Sequence, residues 1–116
     1  MQLVSFAPDT GHHVDQFGSD FILSPVMGVR DVGRTTVLHL AAGQLVGEHE
    51  AGTVQLFCVV EGRGWVSGGD GVRRPIERHQ AAHWTPGERH AAGTDVGLVA
   101  VVIEGNFTVE APRVGP

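Results

Sequence analysis

Two stretches decide how the chain is read: GQLVGEHEAGTVQLFCVVEG at residues 43–62 and HQAAHWTPGERHAAGT at residues 79–94. The first ends in a regular alternation, with Gln55, Phe57, Val59 and Glu61 on one side and Leu56, Cys58 and Val60 on the other, the period-two pattern of a β-strand. His49 lies just upstream of that strand, and a short turn through Glu50, Ala51, Gly52 and Thr53 would bring His49 and Gln55 into one cavity. In the second stretch His90 stands just past Pro86-Gly87. Proline has no N–H for a ladder and glycine accepts unusual backbone angles, so this pair ends one strand and starts the next.

Composition agrees with a chain of short strands. A length of 116 residues suits one domain with a single modest core. Seventeen glycines, six prolines and short β-branched runs predict strands joined by tight turns, hence an all-β sandwich or barrel, and no segment of helical period is long enough to anchor a bundle. The apolar run Val96–Ile103 is far shorter than the roughly 20 residues of a bilayer span, so it is read as a buried strand and no membrane partner is expected. The N-terminus lacks a basic stretch followed by an apolar one, which predicts a cytoplasmic location. Cys58 is the single cysteine and sits inside an apolar strand, where it is expected to pack as a core residue. The basic residues are all arginines, scattered along the chain, and the net charge is −5, which argues against nucleic acid as a partner, since that requires a basic face.

Outward from the two stretches, Met1–Ala7 alternates weakly as a first edge strand, and residues 9–19, with the pair His12-His13, read as a polar surface loop. Residues 21–23 form a short strand ended by Ser24-Pro25, residues 26–34 cross toward the main body, and Thr35–Leu40 is a β-branched strand. After Glu61 a glycine turn is expected at residues 62–64, then a strand with Trp65 and Val66, a hairpin turn at residues 68–71, and a returning strand over 72–78. No helix start with Gly-Lys-Ser or Gly-Lys-Thr follows these glycines, so they are not a phosphate loop. Residues 96–104 and 107–109 close the body, and the tail from residue 111 to 116 is expected to fray. The domain thus divides into N-terminal strands and loop (1–34), a core (43–94) and a tail (111–116).

On these residues the chain resembles the cupin family. Its first motif is Gly, five residues, His-x-His, three or four residues, Glu, six residues, Gly, and Gly43, His49, Ala51, Gln55 and Gly62 fall on those positions. Ala51 replaces the second histidine and Gln55 the glutamate. The second motif is Gly, five residues, Pro-x-Gly, two residues, His, three residues, Asn, and His79, Thr85, Gly87, His90 and Thr94 fall there, with the proline displaced by one to Pro86. The resemblance implies a double-stranded β-helix, or jelly-roll, barrel. It also implies a homodimer, since the N-terminal strand of such barrels often pairs with a second subunit.

A cupin barrel normally holds a first-row metal by three imidazoles and one carboxylate, so the implied ligands here are His49 and His90, with the amide oxygen of Gln55 as a weaker neutral donor and Ala51 offering nothing. The metal would be divalent Fe, Mn, Ni or Zn. His39, His83, Phe57 and Trp84 are further candidates to line the pocket; His39 and His83 are equally readable as a packed strand histidine and a packed edge residue, and His79 as part of an exposed turn. Nothing in the inferred pocket reads as paired carboxylates, and Cys58 faces away from Gln55. Three functions stay open: a metal-dependent oxygenase or isomerase-like enzyme acting on a small organic molecule, a metal-free module that binds or senses such a molecule, and a structural dimer with a vestigial site.

Overall fold

The computed structural model describes residues 1–16 and 19–115. Its strands are β1 (Gln2–Ser5), β2 (His12–Val14), β3 (Phe21–Leu23), β4 (Met27–Leu40), β5 (Leu45–Glu50), β6 (Val54–Ser67), β7 (Arg74–Glu77), β8 (Gln80–Trp84), β9 (Arg89–Gly93) and β10 (Leu98–Val109). A single 3-10 turn at Pro8–Thr10 separates β1 from β2. The described helix content includes no helix long and apolar enough to cross a membrane.

The long strand β6 is the spine of the barrel. Its first half pairs with β8 and β10 in a sheet ordered β1-β8-β6-β10-β4, while its second half pairs with β7 and β9, and β9 in turn carries β5. One strand thereby serves both walls. Both faces of its first half are buried: Phe57 and Val59 pack with Trp84, Ala92, Leu98, Ala100 and Val102, whereas Leu56 and Cys58 pack with Val4, Ala81, Phe107 and Ala111. A strand covered on both faces reads as an unbroken apolar run, as the segment Leu56–Val60 does. Burial pushes the Cys58 thiol up to about 11, so it is a core group and not a nucleophile.

Several expectations are corrected. No turn interrupts β6 at residues 62–64, because Gly62 adopts φ 74° and runs so close to the Gly97 carbonyl that a side chain there would collide with it. Glycine here allows a close crossing between walls instead of a reversal. Residues 26–34 do not form a crossing segment either: β4 is continuous from Met27 and pairs with β10 along its length, the irregularities being absorbed by register shifts at Glu104/Gly105 and Asn106/Phe107. The returning strand is shorter than expected, Arg74–Glu77.

His12 and His13 lie in β2, which pairs with β3 as a two-stranded ribbon, so this part of the expected loop is strand. His13 Nε2 meets the carboxylate of Asp20. Phe17 and Gly18, in the same expected loop, lie outside the described residues. The N-terminal strand pairs within its own chain, with β8 on one edge. On its other edge Ser5 N–H donates to the Pro112 carbonyl and Val114 N–H to the Leu3 carbonyl. The described part of the tail is therefore docked and not frayed, since Ala111 is buried and the backbone beyond it supplies β1's missing partners; Pro116 lies outside the described residues.

Thr94, which stands where the family motif has asparagine, closes the loop before β10. Its hydroxyl donates to the Arg63 carbonyl at 2.7 Å and accepts from the Gly97 N–H at 2.8 Å. Thr94→Val keeps the shape and removes these bonds in a buried place, so a loss of about 1–3 kcal/mol in urea unfolding is expected.

Candidate ligand-binding site

The sheets enclose a cavity of about 180 Å³. One wall comes from the β5–β9 pair, whose ladder sets His49 directly opposite His90. Their rings lie 4.3 Å apart, tilted by 56°. In each ring Nδ1 meets a backbone carbonyl: Gly47 at 2.8 Å for His49 and Glu88 at 3.0 Å for His90. A carbonyl oxygen can only accept, so in the neutral imidazoles Nδ1 carries the proton and Nε2 keeps its lone pair. Both histidines line the cavity and therefore bring it a ring with an acceptor at Nε2.

The floor is apolar. Trp84, only 1 % exposed, stacks on His90 with centroids 4.2 Å apart and rings 28° from parallel, and packs against Phe57. Its indole Nε1–H donates to the Ser67 carbonyl at 3.1 Å, which ties β8 to the end of β6. The far wall carries charge. Gln55 Nε2 donates to Glu104 Oε1 at 2.6 Å, and Arg34 Nε donates to Glu104 Oε2 at 3.0 Å. This chain crosses three neighbouring strands, since Glu104 on β10 is in register with Gln55 on β6 and Arg34 on β4.

The affinity of His90 for a proton is lowered, first by its burial and then by His49 opposite it, with its bond to the Glu88 carbonyl acting the other way. His83 is lowered too, again mainly by burial. The unfolded chain thus takes up these protons more readily than the folded one. Stability stays level above the ordinary histidine value of 6.5 and falls as the pH drops from there through the lower folded values. A lower urea midpoint at about pH 5 than at about pH 8 is expected, with the difference reduced in His90→Gln.

Of the residues singled out from the sequence, His49, Gln55, His90, Phe57 and Trp84 all line the cavity. His83 does not: it is in phase with Ala81, which packs in the outer cluster, while Ala82 and Trp84 face inward. His39 is exposed on β4 and absent from the lining, because Leu38 takes the inward position beside it. His79 is half-buried with its ring against Phe6 at 5.9 Å, and it adopts φ 75° in the turn where the motif places glycine. Glu48 and Glu50 turn outward to Arg89.

Glu104 and Arg34 are functional candidates that sequence reasoning missed. The signal was present in the alternation Leu98, Ala100, Val102, Glu104, which carries a carboxylate into the cavity at the end of the inward-facing row. The same alternation puts Arg34 and Thr36 in phase with Leu38 on β4.

The donor set does not fit the metal of three imidazoles and one carboxylate that the resemblance implies. Ala51, at the place of the second histidine, is 2 % exposed and part of the core. The carboxylate and the amide nitrogen are spent on each other and on Arg34. Among the described residues no group of three or more His, Cys, Asp or Glu converges on a point that could hold an ion.

No protein-family model matches the chain, and no curated protein matches it in sequence. Solved structures do match in fold. A cupin superfamily protein from Desulfitobacterium hafniense aligns at 16 % identity and TM-score 0.59, covering 66 % of this chain and 69 % of that one. A Cupin 2 conserved barrel domain protein from Salinispora arenicola aligns at 23 % identity and TM-score 0.56, covering 62 % of this chain and 61 % of that one. A predicted oxalate decarboxylase from Thermotoga maritima aligns at 18 % identity and TM-score 0.58, covering 67 % of each chain. At these identities the likeness is one of fold: the chain has the barrel fold of these cupin proteins.

Proposed function

We propose that the barrel is a metal-free binding site for a small organic molecule, held by hydrogen bonds to His49, His90 and Gln55 over the apolar floor of Phe57 and Trp84. The observation that carries this reading is the Arg34–Glu104–Gln55 chain. It commits Glu104, the one carboxylate lining the cavity among the described residues, to a guanidinium and an amide, so the groups left to a ligand on the histidine side are the neutral ones of His49, His90 and Gln55. A concave, mostly apolar pocket with a few convergent polar atoms is the usual form of a small-molecule site.

A second reading, a metal-dependent enzyme, draws on one feature. His49 and His90 each keep an Nε2 lone pair on rings whose centroids are 4.3 Å apart, and imidazole nitrogen is a usual ligand of divalent metals. The Thermotoga protein described as a predicted oxalate decarboxylase shares the fold. Two imidazoles without a free carboxylate would hold such an ion weakly.

Elemental analysis by mass spectrometry, after loading with Fe, Mn, Ni or Zn and dialysis, separates the two readings. Well below one equivalent of metal, together with thermal stabilisation by members of a small-molecule collection that is lost in His90→Ala, is the expected result. Near-stoichiometric metal abolished by both His49→Ala and His90→Ala would overturn it.

A further inference from the structure

We infer that the ligand is a small zwitterion of the amino-acid type, with a primary ammonium on the histidine wall and a carboxylate at Arg34. The inference rests on the binding-site reading above and assigns the chemistry of its occupant.

The polar atoms of the cavity are sorted by kind. His49 and His90 each present an Nε2 lone pair, because their Nδ1 protons are held by the Gly47 and Glu88 carbonyls. Gln55 turns its Nε2 to Glu104, so its carbonyl oxygen is the end left for a ligand. The indole N–H of Trp84 is spent on Ser67. This side therefore accepts hydrogen bonds, with the two imidazoles 4.3 Å apart between ring centroids. A primary ammonium has three N–H donors on one compact charge and can serve all three acceptors at once.

Donors are gathered on β4, along the opposite rim. Arg34 gives Nε to Glu104, and its terminal nitrogens belong to a side chain that is 71 % exposed. The Thr36 hydroxyl lies on the same strand in the same phase. A carboxylate at the rim would meet a guanidinium, the geometry in which such pairs are strong.

Charge balance selects between one-ended and two-ended ligands. The formal charges lining the cavity are Glu104 and Arg34, and they are paired with each other. A ligand with net charge would bring an unmatched charge into a partly desolvated space, whereas a zwitterion carries no net charge and leaves the Arg34–Glu104 pair balanced. A cavity of about 180 Å³, the liquid volume of roughly six waters, admits a molecule of this size.

Isothermal titration with glycine, β-alanine and γ-aminobutyrate, set beside methylamine, ethylamine, propylamine, acetate, propionate and butyrate, tests the assignment. At least one amino acid is expected to bind about tenfold or more tighter than both its amine-only and its carboxylate-only counterparts. Arg34→Gln is expected to bring that amino acid down to the level of its amine counterpart measured in the same variant. A carboxylate that binds as tightly as the amino acid, or a preference that survives Arg34→Gln, would overturn the assignment. If none of these probes binds while other small molecules stabilise the protein through His90, the class is wrong and the binding-site reading stands. If no small molecule binds at all, both are wrong.

Discussion

Trp84→Ala is expected to destabilise the protein by about 3–5 kcal/mol and to abolish ligand uptake at the same time. The indole is the largest of the fully buried side chains among the described residues, it is the face on which His90 stacks, and its ring meets that of Phe57 at a tilt of 56° across the floor. Removing it opens a cavity under the histidine that no neighbouring side chain can fill without leaving its own wall. It also strips the Ser67 carbonyl of its indole donor between β8 and the end of β6. Trp84→Phe separates the two contributions. It keeps an aromatic face against His90 and loses the donor, so a smaller loss of about 1–3 kcal/mol is expected. Urea unfolding of both variants measures this, and a loss below about 1 kcal/mol in Trp84→Ala would mean that the floor is not packed as described.

Glu104→Leu has the second large effect, and it acts on the site more than on the fold. Gln55 is 6 % exposed, and without the carboxylate its amide N–H has no acceptor in a place that water does not reach freely. Leaving such a donor unpartnered costs about 1–3 kcal/mol. Arg34 adds little to this loss, because its exposed guanidinium is solvated when the carboxylate goes. For the ligand the consequence is larger: the amide of Gln55 is free to rotate, and its carbonyl oxygen no longer has a fixed direction. Affinity for whatever ligand the cavity takes is expected to fall about tenfold or more. Glu104→Gln returns an acceptor to Gln55 without the charge, and it should recover most of the stability. Equal losses in the two variants would show that charge, and not the hydrogen bond to Gln55, is what Glu104 contributes.

The barrel was legible in the sequence because its signals are local. Alternation in the Gln55–Val59 segment gave the central strand, and Pro86-Gly87 gave the turn that positions His90. What was not legible depends on pairing between distant segments. The glycines at positions 62 and 64 look like a turn in isolation, and only the approach of the Gly97 carbonyl to Gly62 and of the Gly93 carbonyl to Gly64 shows why a strand passes through them. The C-terminal tail looks frayed until β1 is seen to lack partners on one edge. Alternation alone leaves open which face of the strand is inward at His83 and His39, and the inward places of Trp84 and Leu38 beside them decide it. Phase was equally available for Glu104, at the end of an inward row on β10, but its role follows from the register that sets it beside Gln55.

Nitrogen-15 NMR of histidine-labelled protein, which reads the tautomer of each imidazole, tests the central claim most directly when it is recorded with and without equimolar zinc. The account expects His49 and His90 both to carry their proton on Nδ1, with Nε2 free, and expects their signals to be unmoved by zinc at that concentration. An Nε2-protonated tautomer in either ring, or a zinc-induced shift of both Nε2 signals with one equivalent of metal, would contradict it.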